Sequence, residues 1–135
     1  MIIKLALAVF LLAHAGIHAG FVSARPPVTA DGPAWPFDLA HSWLLSPLGA
    51  SADITRLLGW ALFAATLAGF ALAAVAVIGL LPASLWVPAA AVGSIASLSL
   101  LLLFFKPWLV LGVGIDVVLL WAVLMADWNP ASITN

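Results

Sequence analysis

Four stretches of this chain are each long and apolar enough to cross a bilayer, which limits the fold more than any other feature. A hydrocarbon core of about 30 Å takes about 20 mostly apolar residues per helix. The qualifying runs are about 2–22, 57–81, 85–105 and 108–125. Leu81-Pro82-Ala83-Ser84 and Lys106-Pro107 separate the last three. Joints this short force antiparallel neighbours, so the second, third and fourth helices form an up-down-up series. The sequence therefore predicts a single all-α domain over 1–135, an integral membrane four-helix bundle with one longer extramembrane loop, 23–56, between helices 1 and 2. No internal repeat is present.

Composition narrows the functional classes. Of the 135 residues 66% are hydrophobic and 7% charged, against roughly 25% charged in soluble domains. The lipid bilayer is the partner this composition implies. Four Lys and Arg balance five acidic residues, with no basic run or aromatic-basic interleaving, so nucleic-acid binding is set aside. Without cysteine there is no disulfide framework, iron–sulfur cluster, thiolate metal site or cysteine nucleophile, and thiol usage gives no redox compartment.

The 23–56 segment differs in kind, carrying Arg25, Pro26, Pro27, Asp31, Pro33, Pro36, Asp38, Pro47, Asp53 and Arg56. Phe37, Leu39, Ala40, Trp43, Leu44, Leu45 and Leu48 make part of it apolar, which predicts a short interfacial helix stopped at Ser46-Pro47. Trp35, Trp43, Trp60, Trp86, Trp108 and Trp128 fall near predicted boundaries, as an aromatic belt requires. Trp121 lies deeper and reads as packing. Lys4, an apolar run and Val22-Ser23-Ala24 also resemble a cleaved signal peptide, but two histidines within the run favour a retained helix. Arg25, Arg56 and Lys106 on the loop side, against Lys4 on the other, lean towards termini outside and loop inside. Both termini fall on the same side of a cell (inner) membrane in this multi-pass reading.

His14, His18 and Asp116 are ionisable groups within the apolar runs. Such groups are costly in hydrocarbon, face a bundle interior or aqueous cavity, and by default mark candidate sites. Counted from the loop side at 1.5 Å per residue, His14, Ser97 and Asp116 each lie about 12 Å deep, and Thr66 about 13 to 14 Å. Four helices thus offer polar groups at one level. An isolated aspartate there costs several kcal/mol, so Asp116 is expected to be protonated or paired, with His14 the obvious partner. Ser97 and Thr66 can add hydrogen bonds. His18 is expected about 6 Å below the boundary, nearer His41, so that His18 and His41 could form the mouth of a cavity leading to His14. The plain alternative for His41 is an ordinary interfacial side chain.

Three chemistries stay open for this layer. His14 and His18 are four apart on one helical face and can chelate a divalent metal, with Asp116 or His41 as a third ligand. The Glu of a His-Glu-x-x-His motif is absent. A bis-His haem would need His41 or another chain, since residues i and i+4 of one helix cannot both be axial to one iron. The polar groups can equally be interhelical glue, since Gly16 and Gly20, and Ala15 and Ala19, permit close helix approach. Gly112 and Gly114, and Gly93, Ser94, Ala96 and Ser97, offer matching small surfaces. Lys106 and Arg56 read as snorkelling anchors, and Asp53 and Asp127 as solvated. Ser94, Ser97 and Ser99 lack the elbow and oxyanion donors of an acyl-transfer site, and no phosphate loop occurs. No enzyme motif is recognisable.

The segment Ala13-His14-Ala15-Gly16-Ile17-His18-Ala19-Gly20-Phe21-Val22 resembles the start of a class of small bacterial four-helix membrane proteins that open with a His-Gly-x-x-His-x-x-Gly-Phe-Val type segment. Gly114-Ile115-Asp116-Val117 is similar to the Gly-x-x-Asn/Asp stretch of their last helix, and size and helix order are distantly DoxX-like. The chain departs from the motif at Ala15, where that class has Gly. The resemblance implies fold and membrane location and leaves function open. The functional expectation is a buried polar layer of His14, Ser97 and Asp116 forming a small-ligand, metal or proton site. The alternative is an accessory or scaffold subunit of a membrane complex, with a membrane-protein partner or a second copy of the chain.

Overall fold

A computed structural model describes residues 1–22, 38–126 and 128. Among them are four α-helices and no strands: α1 (Ile2–Val22), α2 (Ala52–Val77), α3 (Trp86–Leu103) and α4 (Val110–Leu124), with single 3-10 turns at Ala83–Leu85 and Pro107–Leu109. With those turns, all four are long and apolar enough to span a bilayer. Each helix packs chiefly on its neighbour in sequence, α2 and α3 most extensively.

The sequence reading matches α1, but α2 begins five residues before Leu57 and ends four before Leu81. Polar capping explains the early start. The Ser51 side chain accepts a hydrogen bond from the Ile54 N–H at 3.3 Å, and Asp53 stands in the first turn, paired with Arg56 at 3.0 Å. Both features stabilise a helix N-terminus without apolar residues. At the other end Gly79 takes φ 87°. Its N–H reaches the Ala76 carbonyl and that of Leu80 the Val75 carbonyl, both at 3.1 Å. This left-handed closure ends α2 while the apolar run continues.

The expected interfacial helix is instead a set of turns over 39–49. One helical hydrogen bond forms, from the Ser46 N–H to the Ser42 carbonyl. Pro47 has no N–H with which to extend it, and Gly49 at φ 85° closes the segment. These turns cap α3: the Ser42 hydroxyl donates to the Leu103 carbonyl and the Trp43 indole N–H to the Leu102 carbonyl at 2.7 Å. Two terminal carbonyls that a helix leaves unpaired are thereby satisfied. Leu39 is buried against Gly59 and Phe104 at the same end.

Two tryptophans depart from expectation. Trp86 stands at a helix end but is buried, its indole N–H donating to the Trp128 carbonyl at 3.2 Å and its ring edge-on to Trp128 at 5.6 Å. Trp121, expected to pack inside, is 61% exposed on the outer face of α4. Trp43, Trp60 and Trp108 are exposed, as a belt requires; Trp35 and Asp127 lie outside the described residues.

The core has two apolar clusters. One contains Ala8, Leu11, Phe70, Ala73, Trp86, Ala90, Leu119 and Val123; the other, nearer the loop, contains Leu39, Leu100, Leu101, Phe104 and Leu109. Between them along α3 and α4 lie Ser97 and Asp116. The α2 and α3 backbones come close together at two glycines, where a Cβ on Gly69 would fall 2.5 Å from the Gly93 Cα. Gly16 and Gly20, expected to form a packing seam, face open space. Gly69→Val is expected to destabilise the bundle by about 1–3 kcal/mol or more by overpacking, and Gly16→Ala to leave it unchanged or slightly firmer. Thermal unfolding in detergent, read by circular dichroism, measures both.

Candidate functional site

The chain places His14 and His18 one turn apart on the inner face of α1, Ser97 on α3 and Asp116 on α4, and the four side chains join directly. One Asp116 carboxyl oxygen, Oδ1, lies 3.0 Å from His14 Nε2. The other, Oδ2, accepts from the Ser97 hydroxyl at 2.5 Å. That hydroxyl oxygen is also 2.9 Å from His18 Nε2. The ring of His18 turns back along its own helix, Nδ1 standing 3.0 Å from the His14 carbonyl. The sequence is therefore His14–Asp116–Ser97–His18, with exposures of 4, 0, 0 and 1%.

Aromatic packing orients the first histidine. Phe70 of α2 meets the His14 ring edge-on at 5.2 Å, Phe10 stacks beside it at 6.2 Å with a 9° interplanar angle, and His18 meets it edge-on at 5.0 Å. The Gly69–Gly93 contact helps to set Phe70, because a Cβ on Gly93 would come within 2.9 Å of its ring. On the outer side Phe10 also lines an apolar groove of about 590 Å³ between α1 and α4, completed by Val110, Leu111, Gly114, Ile115, Val118 and Leu119.

Of the six residues singled out from sequence, the structure brings four together. His18 lies closer to the layer than depth counting suggests. Side chains on an α-helix lean towards its N-terminus, and the bond to the His14 carbonyl holds the imidazole back in that direction. Thr66 is buried at the expected level but donates to the Leu62 carbonyl of its own helix at 2.9 Å. His41 is 73% exposed and pairs with Asp38 at 2.8 Å in the turn segment, outside this network. Ser94, one turn before Ser97, is fully buried with its hydroxyl unpartnered. Its sequence signal is only the i,i+3 spacing from Ser97.

The donor set favours hydrogen-bond and proton chemistry. Both ring nitrogens of His18 are engaged in hydrogen bonds, and His14 directs Nε2 at a carboxyl oxygen. Ligation of a metal or haem iron through His18, or through Nε2 of His14, would break those bonds. Among the described residues no group of three or more His, Cys, Asp or Glu is arranged to hold a metal ion. Comparison with protein-family models, with curated proteins and with solved structures finds no match.

Two hydroxyls at similar depth thus have different duties. Ser97→Ala removes links to both Asp116 and His18 and is expected to cost about 1–3 kcal/mol. Thr66→Val removes only a bond within one helix and should stay within about 0.5 kcal/mol. Denaturant unfolding in mixed micelles distinguishes them.

Proposed function

We propose that this chain is a small multi-pass membrane protein whose His14–Asp116–Ser97–His18 centre binds and releases a proton. One observation carries the reading: a fully buried carboxyl group is in direct hydrogen-bond contact, through itself and one serine, with two imidazoles. Ionisable side chains inside membrane spans commonly serve proton relays. Imidazole changes charge nearest neutral pH, and a carboxyl group at zero exposure is costly as an unpaired anion. A proton is the ligand that needs no space beyond these contacts. The proposed setting is the inner membrane of a bacterium, supported by the resemblance of the 13–22 segment, with both ends of the bundle on one side.

A second reading has the same contacts in its favour: they link α1 to α3 and α4, as an accessory module needs if its polar groups only fix helix register. Proton counting separates the two. After a downward pH jump on purified protein, followed with an indicator dye, the wild type should take up about one proton per chain more than Asp116→Asn. Equal uptake by the two folded proteins would leave the structural role alone.

A further inference from the structure

We infer that a single proton is shared between His18 and Asp116, and that the Ser97 hydroxyl is the bridge that carries it. The inference deepens the proton-site reading and rests on it. It follows from counting hydrogens in the four contacts.

A carbonyl oxygen only accepts, so the 3.0 Å contact with the His14 carbonyl requires His18 to carry hydrogen on Nδ1. A neutral His18 then has a bare Nε2, which can only accept. Three further links each need one hydrogen: His18 Nε2 to Ser97 Oγ, Ser97 Oγ to Asp116 Oδ2, and Asp116 Oδ1 to His14 Nε2. Ser97 supplies one and a neutral His14 another. With a neutral His18 and an ionised Asp116 the third is missing. The network is complete only when it holds one more proton, and its net charge is then zero.

That proton has two homes. In one form His18 is an imidazolium, its Nε2–H donates to Ser97, and Ser97 donates to the Asp116 carboxylate. The Ser97–Asp116 separation of 2.5 Å lies at the short end expected of a hydroxyl on a carboxylate. In the other form Asp116 is a carboxylic acid donating from Oδ2 to Ser97, and Ser97 donates to a neutral His18. The forms interconvert by a concerted step. The Nε2–H bond breaks as a new Oγ–H bond forms, and the original Oγ–H bond breaks as Oδ2–H forms. One proton moves from His18 to Asp116, and the serine is regenerated with its hydroxyl turned round. His14 donates to Oδ1 in both forms and is a positioning residue.

Loss of the proton places the bare Nε2 against an oxygen whose hydrogen points to Asp116, and leaves an anion within the membrane span. Among the described residues nothing else near the centre offers a charge in compensation. From α1 the facing groups are His14 and His18, from α3 the hydroxyls of Ser94 and Ser97, and from α4 Asp116. From α2 only Thr66 stands at this depth, and its hydroxyl is bonded within its helix. Asp53 and Arg56 lie at the exposed start of α2.

The test uses the full chain in lipid nanodiscs, labelled with 15N-histidine and 13C-carboxyl aspartate, with His18 and Asp116 followed through one pH series. Near neutral pH, His18 protonation and Asp116 protonation should sum to one, and raising the pH should remove both signals in a single shared step. Ser97→Ala should split that step into two independent ones, and Ser97→Thr, which keeps the hydroxyl, should restore it. A neutral His18 beside an ionised Asp116 in the folded neutral-pH protein overturns the inference, as does a single shared step persisting in Ser97→Ala. If Ser97→Ala does not fold, the wild-type sum and the Ser97→Thr step decide the matter. Proton uptake that depends on Asp116 but bypasses His18 would sink the bridge and leave the proton site standing. A shared proton that never exchanges in the pH-jump measurement would overturn the proton-site reading, and the single shared step with it.

Discussion

The Asp116 carboxyl group is the constraint around which the rest of the bundle is arranged. A carboxyl group with no exposure, midway along an apolar helix, must find donors for both oxygens or remain protonated. No single neighbouring helix supplies them: α1 provides an imidazole for one oxygen and α3 a hydroxyl for the other. Satisfying one side chain therefore fixes three helices at one level. This matters most for α1, which otherwise packs chiefly on α2 and gains little from burying its leucines, since lipid tails are as apolar as the core.

The remaining helix, α2, contributes through shape. Gly69 and Gly93 bring the α2 and α3 backbones close enough that neither position has room for a Cβ, and Phe70 beside that contact lies edge-on to His14. Van der Waals contact between small residues is a main source of helix association in lipid. This close approach thus sits next to the polar centre, and the ring it positions restricts how His14 can turn. The apolar clusters on either side separate the network from both membrane faces.

Much of this was legible in the sequence because helical rise is constant. Equal residue counts from a common edge place His14, Ser97 and Asp116 at equal depth, and these groups do meet. Depth does not specify direction. Thr66 has the depth of the layer, yet its hydroxyl folds back onto Leu62, a choice made by rotamer and local carbonyl that spacing does not reveal. His18 has the wrong Cα depth but the right reach, because its imidazole leans towards the helix N-terminus. The glycines teach the same lesson. Gly16-x-x-x-Gly20 has the conventional spacing and faces open space, whereas Gly69 and Gly93, far apart in sequence, form the seam. Hydropathy located the runs but not the ends of α2, which are set by Ser51 and Gly79 through capping and backbone conformation.

Structural and proton-binding roles are usually set against each other for a buried polar cluster, but the proposed proton site would draw on the same bonds that join the helices. The link from α1 to α3 runs through His18 and Ser97, and in the proposed shared-proton network it has a hydrogen to donate only while the extra proton is present. Whatever that link contributes to holding α1 in place is therefore present when the proton is bound and lost when it leaves, by the ordinary linkage between binding and stability. The link from α1 to α4 through His14 and Asp116 keeps its hydrogen in either state. Deprotonation would then release α1 at His18, nearer the loop, and retain it at His14, one turn deeper. The expected response is a local loosening of the upper half of one helix, with the remaining three helices still packed.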